Sequence, residues 1–147
     1  MPRLDAAMEA VRVSRANSGL CQPSLFSAVI RRARETGAAI AALAVADTVK
    51  QVDGDRIVGT IDRSRVVLAQ TPQAFRFGIL KSAFDAATRE GWRGTDEASI
   101  VERAGYPVAV VDGTPFNIKV TKPEDLAFAE AIAHCVDGPE FRKDPRS

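Results

Sequence analysis

This sequence predicts an α/β fold, on two observations. The run Ala38-Ala39-Ile40-Ala41-Ala42-Leu43-Ala44-Val45 is apolar at every position and bounded by turn residues. That is the pattern of a strand covered on both faces, as in a parallel sheet. Segments of helical periodicity alternate with such strand-like runs along the chain, which argues for helices packed on a sheet.

The elements follow in order. Ala6, Met8, Ala10 and Val11 fit a short amphipathic helix, and Ser14 to Gly19 reads as loop. From Pro23, the apolar Leu25, Phe26, Val29 and Ile30 recur at helical spacing, with Arg31, Arg32, Arg34 and Glu35 toward solvent. Gly37 is placed to end that helix in a left-handed cap before the buried strand begins. Val49 to Val52 and Arg56 to Ile61 alternate around Asp53-Gly54-Asp55, the signature of a β-hairpin. The hairpin is polar on one face and so is expected to project from the core. Val66 to Ala69 predicts a short strand and Thr71-Pro72-Gln73 a turn. Phe77, Leu80, Phe84 and Ala87 mark a second helix ending near Gly91, with Trp92 a surface or edge aromatic.

Thr95 is the predicted N-cap of a third helix, with Asp96 and Glu97 where the helix dipole favours acids, and Gly105 closes it. Pro107 to Val111 and Phe116 to Val120 predict two strands around an Asp112-Gly113 turn. Thr121 and Glu124 fit a capping box for a last helix whose apolar face is Leu126, Ala129, Ile132 and Ala133. The charged, proline-containing tail 137–147 is expected to be disordered.

The totals bound the function. The chain has 147 residues, one domain by length, with 46% apolar and 27% charged residues. A net charge of +1 gives no basic field for nucleic acid or an anionic membrane, so an anionic ligand must be held by a few placed cations. Cys21 and Cys135 form no metal-ligand spacing, and His134 is the single histidine, read as a helix-end residue. The cysteines read as reduced thiols of a reducing compartment. No apolar run reaches membrane-span length, and Met1-Pro2-Arg3-Leu4-Asp5 lacks a signal-peptide core. A cytoplasmic protein is expected.

Four polar segments fall just after strands, where open α/β sheets bind ligands. Asp47-Thr48 is either a self-satisfied turn or a hydroxyl aimed at a phosphate. Arg63, in Asp62-Arg63-Ser64, is either a solvated rim charge or a bidentate phosphate clamp. Gln70-Thr71-Pro72-Gln73 leaves a hydroxyl at the sheet edge, which turn chemistry explains equally well. Asn117, Lys119 and Thr121 alternate with Ile118 and Val120. Lys119 near a helix N-terminus can neutralise a phosphate, or it can be one charge of a solvated strand face.

The order and spacing of these blocks resemble one family. The blocks are Gly37-Ala38-Ala39-Ile40 into Val45-Ala46-Asp47-Thr48-Val49-Lys50, then Thr60-Ile61-Asp62-Arg63-Ser64, and then Ala69-Gln70-Thr71-Pro72-Gln73-Ala74-Phe75. Thr95-Asp96-Glu97-Ala98-Ser99 and Asn117-Ile118-Lys119-Val120-Thr121-Lys122-Pro123-Glu124-Asp125-Leu126 complete the set. Residues 23 to 133 are thereby similar to the 2-C-methyl-D-erythritol 4-phosphate cytidylyltransferases of non-mevalonate isoprenoid synthesis.

The resemblance implies a Rossmann-like nucleotidyltransferase fold, three-layer α/β/α on a mixed sheet, with a β-hairpin dimerisation arm over 48–63. It implies transfer of CMP from CTP to methylerythritol phosphate, with Mg²⁺ and release of pyrophosphate. Thr48, Arg63 and Thr71 match the family's acceptor-binding residues, and Lys119 matches the lysine beside the transferred phosphate. The arm implies a homodimer in which Arg63 serves the partner's site. The domain is expected to span 21–136, with 1–20 unassigned.

The sequence departs from the family in places. It holds no Ala-Ala-Gly-x-Gly-x-Arg segment of the kind that binds CTP, so the match is to the C-terminal portion. Arg65-Val66-Val67 stands where Gly-Leu-Trp is common. A sheet without its first βαβ unit exposes an apolar edge and face, so marginal stability or association is expected. Two other readings stand beside this one: another polyol-phosphate cytidylyltransferase, such as one acting on ribitol 5-phosphate, and an inactive dimerisation module that keeps only the arm and scaffold.

Overall fold

A computed structural model describes residues 10–14 and 22–137. Its elements are β1 (Val11–Ser14), α1 (Pro23–Thr36), β2 (Ala38–Ala44), β3 (Val49–Asp53), β4 (Arg56–Ile61), a 3₁₀ turn (Arg63–Arg65) and β5 (Val67–Arg76). They continue with α2 (Phe77–Glu90), α3 (Glu97–Arg103), β6 (Ala109–Asp112) and α4 (Pro123–Asp137). The main sheet runs β1-β5-β2-β6, and β3-β4 form a separate two-stranded ribbon. β5 is antiparallel to both neighbours, whereas β2 and β6 are parallel, so the sheet is mixed.

β2 organises the core. Ala39 and Ala41 face one side, where they pack with Leu25, Val29 and Ala33 of α1. Ala38 and Ile40 face the other, where they pack with Phe75 of β5, Ala83 of α2, and Ala98 and Val101 of α3. The period of two along a strand thus feeds two separate clusters and gives three layers. Alanine dominates β2 because helices lie close over both of its faces.

The helix ends explain the chain reversals. α1 starts with Pro23 at its first turn, where a missing N–H costs nothing, and ends at Gly37 with φ 96°. The Gly37 amide donates to Ala33 O at 2.8 Å. α2 ends at Gly91 in the left-handed conformation. α3 is capped by Asp96, one residue beyond the expected Thr95. The Asp96 side chain accepts from the Ser99 amide, and the Ser99 hydroxyl accepts from the Asp96 amide.

Four other expectations are corrected. Val11 belongs to a strand, not a helix, because it pairs with Arg76 across the β1–β5 ladder. Ala10 is likewise in no helix, and its carbonyl accepts from the Phe77 amide at 2.7 Å, while Ala6, Met8 and the tail from 138 onward lie outside the described residues. Thr71-Pro72-Gln73 is no turn. β5 runs through it, with Pro72 in a cis peptide and buried. Phe116 to Val120 forms no ladder. At the start of α4 it is Asp125, not Glu124, whose carboxylate folds back. It accepts from the amides of Thr121 and Lys122 and from the Thr121 hydroxyl at 2.8–3.0 Å. The expected strand at Pro107 to Val111 is present as Ala109–Asp112.

The β3–β4 hairpin forms as expected around Gly54 and stands clear of the sheet. It exposes apolar side chains as well as polar ones: Val52 is 62% exposed, Ile57 65% and Val58 58%. No described helix is long and apolar enough to cross a membrane.

Candidate functional site

Beyond the β2 end of the sheet, β5 and the segment after β6 border an open cleft of about 480 Å³. Its polar lining is Gln70, Thr71 and Gln73 from β5, Asp96 from the α3 cap, and Asn117 and Lys119. Leu43, Leu68 and Ile118 supply apolar wall. Lys119 is the one cation among these lining residues, and it is exposed.

Buried amides hold the cleft's frame. Gln73 is 3% exposed. Its Nε2 donates to Asp96 Oδ2 at 2.8 Å, and its Oε1 accepts from the Ala98 amide at 3.3 Å. One side chain therefore ties β5 to the first turn of α3. Burial pushes the Asp96 carboxyl up, but hydrogen bonds from Gln73 and from Ser99 outweigh it, and the group sits below the ordinary carboxylate range. Asp96 is thus held as an anion occupied with structure.

Gln70 and Asn117 tie the other wall together. Gln70 Nε2 donates to Thr114 O at 3.0 Å and to Asn117 O at 3.4 Å. Asn117, 5% exposed, returns a bond of 2.6 Å from Nδ2 to Thr71 O. Gln70 Oε1 and Asn117 Oδ1 are buried with no protein partner. Gly113 leaves the room that the Gln70 amide occupies, since a Cβ there would overlap Gln70 Oε1.

The structure brings Thr71 and Lys119 to this one cleft. It does not bring Thr48 and Arg63 there within the chain. Both are exposed and stand where the hairpin joins the core. Arg63 Nη1 donates to Ala46 O, two residues before Thr48, which holds the arginine against the start of the hairpin. Beside it, Asp62 Oδ1 accepts from the Ser64 hydroxyl at 2.8 Å and the Ser64 amide at 3.0 Å, which lowers its pKa. The Asp62 carboxylate is therefore turned to its own 3₁₀ turn.

Thr121, expected to share a polar face with Asn117 and Lys119, spends its hydroxyl on Asp125. The carboxyl of Asp125 is lowered by the Thr121 and Lys122 amides and that hydroxyl. In the sequence, Gln70 and Gln73 stand in a candidate polar segment where only Thr71 takes a role, and Asp96 reads only as an acid in the first turn of a helix. The available signal was the pair of amides flanking Thr71-Pro72 in an otherwise apolar strand. Cys135 is free and exposed, His134 is exposed, and Trp92 lies under the Arg103 guanidinium at 4.6 Å, while Cys21 lies outside the described residues. Among the described residues, no three His, Cys, Asp or Glu side chains cluster as a metal site.

A mixed sheet between helical layers, with a polar cleft off its end, makes this an α/β fold of the Rossmann-like nucleotidyltransferase class. The model of the family "IspD: 2-C-methyl-D-erythritol 4-phosphate cytidylyltransferase" matches residues 3–134. Proteins of that name from Bacillus velezensis and Bacillus licheniformis are 49% identical over 111 residues and 53% over 104. These alignments cover 75% and 71% of this chain, but 48% and 45% of the relatives. The solved Thermus thermophilus enzyme of the same name superposes with TM-score 0.71 at 36% identity, covering 80% of this chain and 58% of that one. The 4-diphosphocytidyl-2C-methyl-D-erythritol synthase of Anaerococcus prevotii gives TM-score 0.77 at 30% identity, over 84% and 56%. The chain belongs to the 2-C-methyl-D-erythritol 4-phosphate cytidylyltransferase family. It spans about half the length of the curated relatives it matches.

Proposed function

We propose that this chain carries the acceptor-binding part of an enzyme that transfers CMP from CTP to methylerythritol phosphate. In that reaction a phosphate oxygen of methylerythritol phosphate attacks the α-phosphorus of CTP. One P–O bond forms, the bond to the pyrophosphate leaving group breaks, and CDP-methylerythritol results. Such a step demands in-line positioning and neutralisation of phosphate charge more than covalent chemistry by the protein.

The observation that carries the reading is the division of the four candidate residues. Lys119 and Thr71 line the cleft, and a lone lysine is a single point charge against a phosphate dianion. Thr48 and Arg63 stand outside it, at the root of a hairpin whose exposed Val52, Ile57 and Val58 lack a covering surface among the described residues. A homodimer formed through the two hairpins accounts for both facts. Each arm buries its apolar residues against the partner and brings Thr48 and Arg63 to the partner's cleft. Arg63 then adds a planar two-point phosphate contact to the charge of Lys119.

Mg²⁺ belongs to the proposal as the companion of CTP. Asp96, the carboxylate in the cleft, is engaged by Gln73 and Ser99, and the described residues do not fit a protein-built Mg²⁺ site. In phosphoryl-transfer enzymes the ion is bound largely through substrate phosphates. The setting proposed for the reaction is the cytoplasm.

The test is formation of CDP-methylerythritol from CTP, methylerythritol phosphate and Mg²⁺ by the purified chain, beside titration of methylerythritol phosphate alone. Binding by the wild type that drops at least tenfold in Lys119→Ala supports the acceptor site. No binding by either protein overturns it. Preference for ribitol 5-phosphate would move the reading to another polyol phosphate.

A further inference from the structure

The segment from Gly113 to Lys122 carries Lys119, yet no strand ladder or helix holds it. Its backbone groups bond mostly within the segment or at its ends: Gly113 N to Ala42 O at 2.7 Å, Asn117 N to Thr114 O at 3.0 Å, Phe116 N to Thr114 Oγ1 at 3.3 Å, Asp125 N to Lys122 O at 3.0 Å, and the Asp125 side-chain contacts at its far end. Between these, it is joined to β5 through two side-chain amides that cross in opposite directions. Gln70, on β5, donates to two carbonyls of the segment. Asn117, on the segment, donates to the carbonyl of Thr71 on β5.

We infer that Gln70 and Asn117 are positioning residues, which fix Lys119 relative to Thr71 by this reciprocal amide clamp and so set the affinity for a phosphorylated acceptor. The inference rests on the function proposed above. Its geometry is specific. Asn117 pins the backbone of Thr71, itself a lining residue of the cleft, and Lys119 lies two residues beyond Asn117. The clamp stands in for the missing ladder: three bonds replace those a strand would make, and they are part-buried, shielded from full competition by water. Gly113 is part of the same device, since any side chain there would displace the Gln70 amide. Gln70 Oε1 and Asn117 Oδ1 have no protein partner, so the ties between the segment and β5 are made by the amide donors.

The test compares the wild-type chain with Gln70→Met and Asn117→Leu, each of which keeps volume and removes the donors. Amide order parameters from nitrogen-15 relaxation report Ile118, Lys119 and Val120 directly. They are expected near the rigid value of about 0.85 in the wild type and below about 0.6 in either variant, with β2 and α1 unchanged. Titration with methylerythritol phosphate is expected to show roughly tenfold weaker binding for Gln70→Met. The same change made on Lys119→Ala should cost nothing more, because the clamp acts through that lysine. Equal order parameters in all three proteins overturn the clamp, as does a full tenfold loss from Gln70→Met when Lys119 is already absent. If the wild type binds no methylerythritol phosphate, the proposed function fails, and the order parameters alone decide whether the clamp exists.

Discussion

Gln73 Nε2 donates to Asp96 Oδ2 at 2.8 Å, so a buried strand amide holds the carboxylate that caps the next helix. Replacing Gln73 with leucine leaves the Ala98 amide without its acceptor and Asp96 without a donor. The expected loss is about 1–3 kcal/mol, the penalty for unpaired buried groups, read by urea denaturation at neutral pH. The change also alters the acid limb. Burial raises the Asp96 carboxyl, but the bonds from Gln73 and Ser99 lower it further than burial raises it, so its folded pKa lies below the unfolded value of about 4. A depressed carboxylate contributes stability that is fully present above the unfolded pKa and is lost as pH falls through the folded one. Gln73→Leu moves Asp96 back toward its ordinary value, so its stability should fall less steeply below about pH 4 than that of the wild type. Parallel acid limbs would refute this coupling.

Gly37 and Gly91 end their helices alike in the sequence but differ in surroundings. Gly91, at φ 70°, has open space where a Cβ would stand, so Gly91→Ala should cost about 1–2 kcal/mol for the left-handed backbone alone. Gly37, at φ 96°, would put a Cβ 2.6 Å from Ile79 Cδ1. Gly37→Ala therefore carries the backbone cost and also pushes Ile79 out of the α2 packing. Midpoints of thermal unfolding should fall clearly further for Gly37→Ala. Equal shifts would mean that Ile79 gives way freely.

Phe75 is 1% exposed between β2 and the helices α2 and α3. Phe75→Ala is expected to cost about 3–5 kcal/mol, from lost transfer energy and the cavity left behind. A domain with about 5–15 kcal/mol in total would be brought near the edge of folding. Leu126 on α4 is 54% exposed, and Leu126→Ala should change stability by less than about 0.5 kcal/mol. Circular dichroism melts of the two variants decide it. A large loss at Leu126 would show that something covers α4 in solution.

What the sequence revealed was what its local signals encode. α1, α2, the apolar β2 and the hairpin each carry a full periodic pattern with a glycine or proline at the boundary, and the structure contains them within a residue or two. The start of β1 reads as helix in the sequence because Ala10 and Val11 have no strand pattern of their own, and only pairing of Val11–Ser14 with Gln73 to Arg76 makes the segment extended. β5 looks interrupted in the sequence because Pro72 lacks a ladder donor. It sits where the β2–β5 register shifts between Ile40 and Ala42, so its missing N–H interrupts nothing. The segment after β6 alternates like a strand, but its bonds run through Gln70 and Asn117, residues 44 to 47 positions apart in the chain from their partners. In the cleft, Thr71 and Lys119 are visible as motif residues. Gln73 and Asp96 stand in motif blocks too, but their role is hidden there, because it lies in a contact between a strand and a helix cap that no spacing announces.

The proposed arm makes the last prediction. Ile57 is 65% exposed on β4 and touches neither core cluster, so a polar residue there leaves the protomer's packing intact. Ile57→Asp should therefore melt within about 0.5 kcal/mol of the wild type when both are monomeric. In a symmetric dimer each such change enters the interface twice, burying two charges in apolar contact. Sedimentation velocity over a concentration series is expected to show a wild-type dimer and an Ile57→Asp monomer. The same variant should bind methylerythritol phosphate more weakly, because Arg63 and Thr48 no longer reach the partner's cleft. A variant that stays dimeric would place the interface elsewhere. A monomeric variant with unchanged binding would show that Lys119 and Thr71 suffice for the acceptor and that Arg63 serves only its own protomer.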